Sequence, residues 1–195
     1  VAVLATDFWS AKKGRDALKI TWDDSKAYKG SSADQFAAYQ KLAEQARKET
    51  LKEGSAQEAL QNAAKTVKAA YSFPYLAHAA MEPMNCVVQL TEQGCELWYG
   101  AQLHTIDQML VGKVLGIDPA QVKINSLYAG GSFGRRGNPA SDYILEAVMI
   151  AKASPDRVPV KMVWTREDDM RKGYYRPAFY HSLQAGLDQA GNATA

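Results

Sequence analysis

Cysteine is nearly missing from this chain, with only Cys86 and Cys95 among 195 residues. Two thiols cannot build a four-cysteine zinc or iron–sulfur site, nor a disulfide framework. They flank an expected hairpin turned at Thr91 to Gly94, whose pairing sets Cys95 beside Leu90 and not beside Cys86, so a disulfide is not expected. Charge of one sign is missing too: Lys and Arg number 23, Asp and Glu 21, for a net +2. With no basic run interleaved with aromatics, no nucleic-acid partner is expected. No stretch of about 18 apolar residues occurs, and the opening VAVLATDFW lacks the basic and apolar regions of a signal peptide, so direct membrane insertion is not expected. Histidine is sparse, and His78, His104 and His181 have no zinc-ligand spacing; they read as hydrogen-bonded structural residues.

What is present is a 47% apolar composition, enough for a packed core. The fold class expected is α+β, a mixed sheet with helices. Residues 1–30 read as the tail of a preceding α/β domain, with strands at Val1 to Ala5 and Leu18 to Trp22 around a helix through Trp9 and Ala17. Residues 31–64 read as a helical connector. Ser32 and Gln35 suggest a capping box, Phe36, Tyr39, Ala43, Ala46 and Thr50 share a face, and Gly54 is placed to stop the helix. Ser55 with Glu58 suggests a second box, opening a shorter helix through Ala59, Leu60 and Ala63.

Residues 65–195 read as the first part of a larger binding domain. Val67, Ala69, Tyr71 and Phe73 alternate as a strand ended by Pro74. Cys86 to Leu90 and Cys95 to Tyr99 make a hairpin, Leu103 to Leu115 a helix closed by Gly116, and Val122 to Tyr128 a strand. Ser141 to Ala153 is a helix, and Val158 to Trp164 and Phe179 to Leu187 are strands. The chain starts with Val and stops at GNATA just beyond a strand, which is what a piece of a longer protein would show.

Two loops stand out chemically. Gly130, Gly131 and Gly134 surround Phe133 between a strand and a helix, removing side chains where backbone must bend or lie against a ligand, and the helix offers free N–H groups to an anion. A tight connection is the plainer reading, and the spacing fits neither the dinucleotide fingerprint nor the P-loop. Arg135 and Arg136 could pair with phosphate, or simply be solvated. The second loop, AHAAMEPMN, sets His78 and Glu82 in an apolar, proline-bounded stretch. The acidic WTREDDM after a strand lacks calcium-loop spacing and reads as a capped, solvated turn.

Taken in order, these segments resemble the molybdopterin-binding large subunits of the xanthine oxidase and aldehyde oxidoreductase family. The family's H-x-x-M-E-P stretch is matched by His78, Met81, Glu82 and Pro83; its Thr-Gln after a strand by WYGAQ, with Gln102 in place; its G-G-x-F-G loop by Gly130 to Gly134. The phrases DFWSAKKGRDALKITWDD, WTREDDMRKGYYRP and FYHSLQAGLD resemble the isoquinoline 1-oxidoreductase beta-subunit branch. The resemblance implies that residues 65–195 are the first part of the molybdopterin-binding domain of a molybdenum hydroxylase. It implies a molybdenum–molybdopterin cytosine dinucleotide cofactor in the full-length enzyme, absent from this piece alone, and iron–sulfur clusters on a small partner subunit. The substrate would be an N-heteroaromatic or aldehyde, hydroxylated with oxygen drawn from water.

Carried over by position, Gln102 would hydrogen-bond an oxygen of the molybdenum centre. The backbone of Gly130, Gly131, Ser132, Phe133, Gly134 and Arg135 would line the cofactor, Phe133 would wall the substrate pocket, and Glu82 would have a structural or pocket-lining role. Where purine-oxidising members carry Lys-Glu after the loop, Arg136 and Gly137 stand here, so xanthine is a poor candidate. The family's general-base glutamate, in a G-x-G-E context, has no match in these residues, so no catalytic residue is assigned and this piece alone is expected to be inactive. The competing expectation is a non-catalytic scaffold that binds an iron–sulfur partner. A free-standing nucleotide-binding module is the reading the Gly loop alone would give. By its branch the protein is expected in the periplasm or the cytoplasm of a bacterium, the periplasm slightly favoured.

Overall fold

The computed structural model describes residues 1–45 and 48–195. Two compact units form, one from Val1–Thr21 with Ala77–Arg176, the other from Trp22–Leu76 with Pro177–Ala195. This grouping cuts across the linear boundaries at 30 and 64.

In the first unit, strands β2 (Asn85–Leu90), β3 (Cys95–Tyr99), β4 (Val122–Ser126) and β5 (Val160–Val163) form one mixed sheet in the order β4-β3-β2-β5. β2 runs antiparallel to β3 and β5, while β3 and β4 are parallel. A parallel pair needs a crossover, here helix α4 (His104–Leu115), closed by Gly116 at φ 76°. Helix α5 (Asp142–Ala153) turns Tyr143, Ala147 and Ala151 with Ile144 and Val148 onto Cys86, Val88, Leu97 and Tyr99 of the sheet. That single buried layer is the core.

Helix α1 (Phe8–Asp16) is capped by Asp7 and tied by Arg15 to Asp168 at 2.7 Å. The flanking strands expected at 1–5 and 18–22 do not form. Apolar alternation there meets no pairing strand, and a lone strand leaves its backbone groups to water. The acidic turn after β5 is instead a short helix, α6 (Arg166–Arg171), opened by a capping box of Thr165 and Asp168.

In the second unit, β1 (Lys65–Phe73) and β6 (Phe179–Leu187) pair antiparallel along nine positions, Lys65 opposite Leu187 and Phe73 opposite Phe179. Helices α2 (Ser32–Ala43) and α3 (Ala56–Asn62) pack against β6. The cap of α2 lies one residue earlier than expected: Ser31 and Asp34 close the box, because the shorter Asp34 carboxylate reaches the Ser31 N–H at 3.1 Å. The helix ends at Ala43 instead of running to Gly54; Thr50 lies beyond it, and Ala46 falls outside the described residues. Ser55 caps α3 by position, but its backbone (φ −125°, ψ 75°) makes no side-chain cap bond, so the Ser55–Glu58 box is absent.

Both cysteines are free and buried, with Cys95 paired to Leu90 as the hairpin register required. Burial pushes the Cys86 thiol well up and the Cys95 thiol up to about 11, so both are poor nucleophiles at neutral pH.

Candidate functional site

The open end of the first unit's sheet carries both unusual loops. After β4 the chain leaves the ladder at Leu127, whose N–H still donates to Tyr99 O, and enters residues 129–137. Gly131 (φ 97°), Phe133 (φ 56°) and Gly134 (φ 95°) occupy the left-handed region. Phe133 does so despite its Cβ, a conformation costing about 1 kcal/mol or more that only a surrounding network sustains.

The hydroxyl of Ser132 is the hub of that network. It donates to Gln102 Oε1 at 2.5 Å and accepts the Arg136 N–H at 3.0 Å. With its oxygen held by Ser132, the Gln102 amide keeps its NH2 end free. Arg135 N–H donates to Ser132 O and Gly137 N–H to Gly134 O, both at 3.0 Å. Among the described residues, the N–H groups of Gly131, Ser132, Phe133 and Gly134 meet no acceptor. The site therefore presents successive backbone donors and one side-chain amide, a donor set for an oxygen-rich or anionic ligand. Phe133 stands beside them, 78% exposed, with Met81 and Tyr128 also bare.

Glu82 enters from the other loop. Its Oε2 accepts the Gly130 N–H at 2.5 Å, its Oε1 the Asn85 amide at 2.6 Å, and its own N–H donates to Gly130 O at 3.1 Å. Burial acts to raise its pKa, but the Gly130 N–H, the Asn85 amide and the Arg136 charge outweigh it and hold the carboxyl below its ordinary range. Arg166 of α6 braces the same loop, donating through Nη2 to Ala80 O (2.6 Å) and Met81 O (2.8 Å) while pairing with buried Asp169. His78 places its ring near Gly134, and its buried Nδ1 has no hydrogen-bond partner.

The structure thus brings Gln102, Gly130, Gly131, Ser132, Phe133, Gly134 and Glu82 together. Arg135 departs from its expected place on the open loop. It is 3% exposed, its fork grips Asp142 at 3.0 and 2.7 Å, and its guanidinium lies over Tyr143 and Trp164. Arg136 is buried as well. The anion site expected at the next helix is not offered either, since Asp142 occupies the first turn of α5. Sequence reading missed Arg166, hidden in what looked like a solvated turn, and Asp107. Asp107 is fully buried under the site and accepts from Tyr99 Oη (2.6 Å) and Ser141 Oγ (2.5 Å).

Residues 39–195 match the profile described as "Molybdopterin cofactor-binding domain". The chain belongs to that family. In the same family's wider company, it is 26% identical to the isoquinoline 1-oxidoreductase subunit beta of Brevundimonas diminuta over 96% of this chain and 25% of that one. It is 32% identical to the aldehyde oxidoreductase molybdenum-binding subunit PaoC of Escherichia coli over 70% of this chain and 18% of that one. The fold is shared with quinoline 2-oxidoreductase from Pseudomonas putida 86 at TM-score 0.59, 18% identity, covering 68% of this chain and 17% of that one. The chain spans about a quarter or less of the curated relatives it matches. Membership places it among the molybdopterin-binding proteins of the xanthine oxidase family, with the α+β fold anticipated.

The donor set fits a molybdenum–molybdopterin group, which carries its metal on its own sulfurs and is rich in oxygen acceptors. Free amide N–H groups and the Gln102 NH2 would meet those oxygens. Among the described residues no helix is long and apolar enough to cross a membrane.

Proposed function

We propose that this chain forms one wall of the cofactor site in the large subunit of a molybdenum hydroxylase acting on an N-heteroaromatic or aldehyde substrate. The observation that carries the reading is the Ser132 hydroxyl joining Gln102 to the Gly131–Gly134 loop, with the loop's N–H groups unclaimed. With the cofactor bound, Gln102 would donate its amide to an oxygen of the molybdenum centre, and the loop backbone would lie against the group. Phe133 walls the pocket in which a flat ring or carbonyl would sit. When bound, the cofactor supplies two-electron oxidation with oxygen taken from water. We take its pterin to be the cytosine dinucleotide form and its electrons to leave through iron–sulfur clusters on a small partner subunit. The base that removes a proton from the attacking water is sought outside these residues.

Gly137 leaves the position after the loop without a side chain, 3.6 Å from Gln102 Oε1 as measured from a would-be Cβ. Nothing there could orient a purine through a carboxylate, so heteroaromatics of the isoquinoline kind and aldehydes are favoured over xanthine. Turnover of isoquinoline and of benzaldehyde by the complete enzyme in 18O-labelled water tests this. The label is expected in the hydroxylated heterocycle; unlabelled product from isoquinoline, or xanthine as the preferred substrate, contradicts the reading.

A further inference from the structure

Glu82 is bound on three sides, and none of those bonds faces a substrate. Its Oε2 takes the Gly130 N–H, its Oε1 the Asn85 amide, and its backbone N–H returns to Gly130 O. Position 130 is glycine because a Cβ there would stand 2.7 Å from Glu82 Cβ. Behind the carboxylate lies Arg136, 1% exposed, with Nη2 3.2 Å from Glu82 Oε2 and Nε donating to Gly131 O at 3.1 Å. Neither Nη1 nor Nη2 of Arg136 makes a directed hydrogen bond, so Glu82 balances this buried cation by Coulomb attraction. The carboxylate holds the N–H of Gly130 and the guanidinium the carbonyl of Gly131, while the backbone N–H of Glu82 holds Gly130 O.

We propose that Glu82 is a positioning residue: with Arg136 it pins Gly130 and Gly131 so that the N–H groups of residues 131–134 stay unclaimed and available to the cofactor. This rests on the loop being a cofactor wall, but it concerns the chain's own conformation. Each carboxylate oxygen already accepts a hydrogen bond from this chain, one from Asn85 and one from Gly130, and these are the bonds that pin the loop. Deleting its charge leaves Arg136 buried without a counterion, and the loop is the nearest segment able to move, since the sheet and α5 are held by the core. Other charged or titratable groups near the loop are Arg135, paired with Asp142, His78 beside Gly134, and the Arg166–Asp169 pair on α6, which grips Ala80 and Met81.

The test is residue-resolved amide exchange on the cofactor-free chain, comparing wild type, Glu82→Gln and Glu82→Asp across pH 3 to 7 (about that range suffices for a carboxylate). Glu82→Gln is expected to speed exchange at Gly130 by about tenfold, the worth of one charge-assisted hydrogen bond, while α5 and β2–β4 keep their protection. The carboxyl sits below its ordinary value, so in wild type the Gly130 protection should be present at neutral pH and fade as pH falls through that lowered value. In Glu82→Gln this pH step should vanish, and Glu82→Asp should keep part of it. Unchanged Gly130 exchange in Glu82→Gln, a persisting pH step, or an equal loss of protection throughout α5 and the sheet would each overturn the proposal. Because this readout needs no cofactor, its outcome is separate from whether the loop binds molybdenum.

Discussion

Asp107→Ala is expected to lower the unfolding free energy by about 3 kcal/mol, because two buried hydroxyls, on Tyr99 and Ser141, lose their only acceptor at once. For a chain of this size that corresponds to a fall in Tm of roughly 6–12 °C. The effect reaches the site because Asp107 joins three elements: β3 through Tyr99, α4 on which it sits, and the start of α5 through Ser141. Ser141 adopts φ 47° and caps nothing with its side chain, since its hydroxyl is committed to Asp107. Relaxing Ser141 frees the segment that follows Arg136. Asp107→Asn, which keeps the shape, should cost far less.

The two variants also differ in pH dependence. Burial raises the Asp107 pKa, more than the Ser141 and Tyr99 hydrogen bonds and the nearby His104 lower it. A carboxyl whose folded value is raised holds its proton more tightly in the folded state, so its contribution is complete below 3.8 and is lost as pH rises through the folded value. Asp107→Asn has no such proton. Wild type should therefore lose stability relative to Asp107→Asn as pH rises from about 3 toward neutrality, measured by urea unfolding at each pH.

Gly130→Ala is expected to have the largest effect on the site itself. The new methyl would sit 2.7 Å from Glu82 Cβ and 3.2 Å from Glu82 Oε2, and neither can withdraw while both bonds between these residues hold. Overpacking of this kind costs about 1–3 kcal/mol, a fall of about fivefold to 150-fold in the population of the binding-competent loop. Gly137→Ala, one turn further on, is the control: its Cβ would meet only ordinary contacts at 3.4 to 3.8 Å. Cofactor retention during gel filtration should fall in Gly130→Ala and stay at the wild-type level in Gly137→Ala. Equal retention in the two variants would show that the Glu82–Gly130 contact does not govern binding.

Much of the scaffold was legible in the sequence because its signals are local. Alternation marked β1, the Thr91–Gly94 turn set the pairing of Leu90 with Cys95, and Gly116 closed α4. Local signals also misled where they lacked a tertiary partner. The apolar residues at 1–5 and 18–22 had a strand's pattern and no strand beside them, and two adjacent serines left the α2 cap ambiguous by one residue. Gln102 and the Gly loop were found through their motifs. What holds them was not, because it lies in contacts between distant positions: Glu82 with Gly130, Arg166 with Ala80, Ser141 with Asp107. Arginines 135 and 136 illustrate the difficulty, since two adjacent cations in a loop predict solvent, and only Asp142, the Tyr143 and Trp164 rings, and Glu82 make their burial tolerable.

The central claim is that the loop at 130–134 and Gln102 hold a molybdenum cofactor. It is tested most directly by molybdenum analysis of the complete enzyme, purified with its partner subunits, together with the nucleotide released from its pterin by acid. Stoichiometric molybdenum with cytidine monophosphate, both sharply reduced in Gly130→Ala, is the predicted result; folded, active enzyme that carries no molybdenum would contradict it.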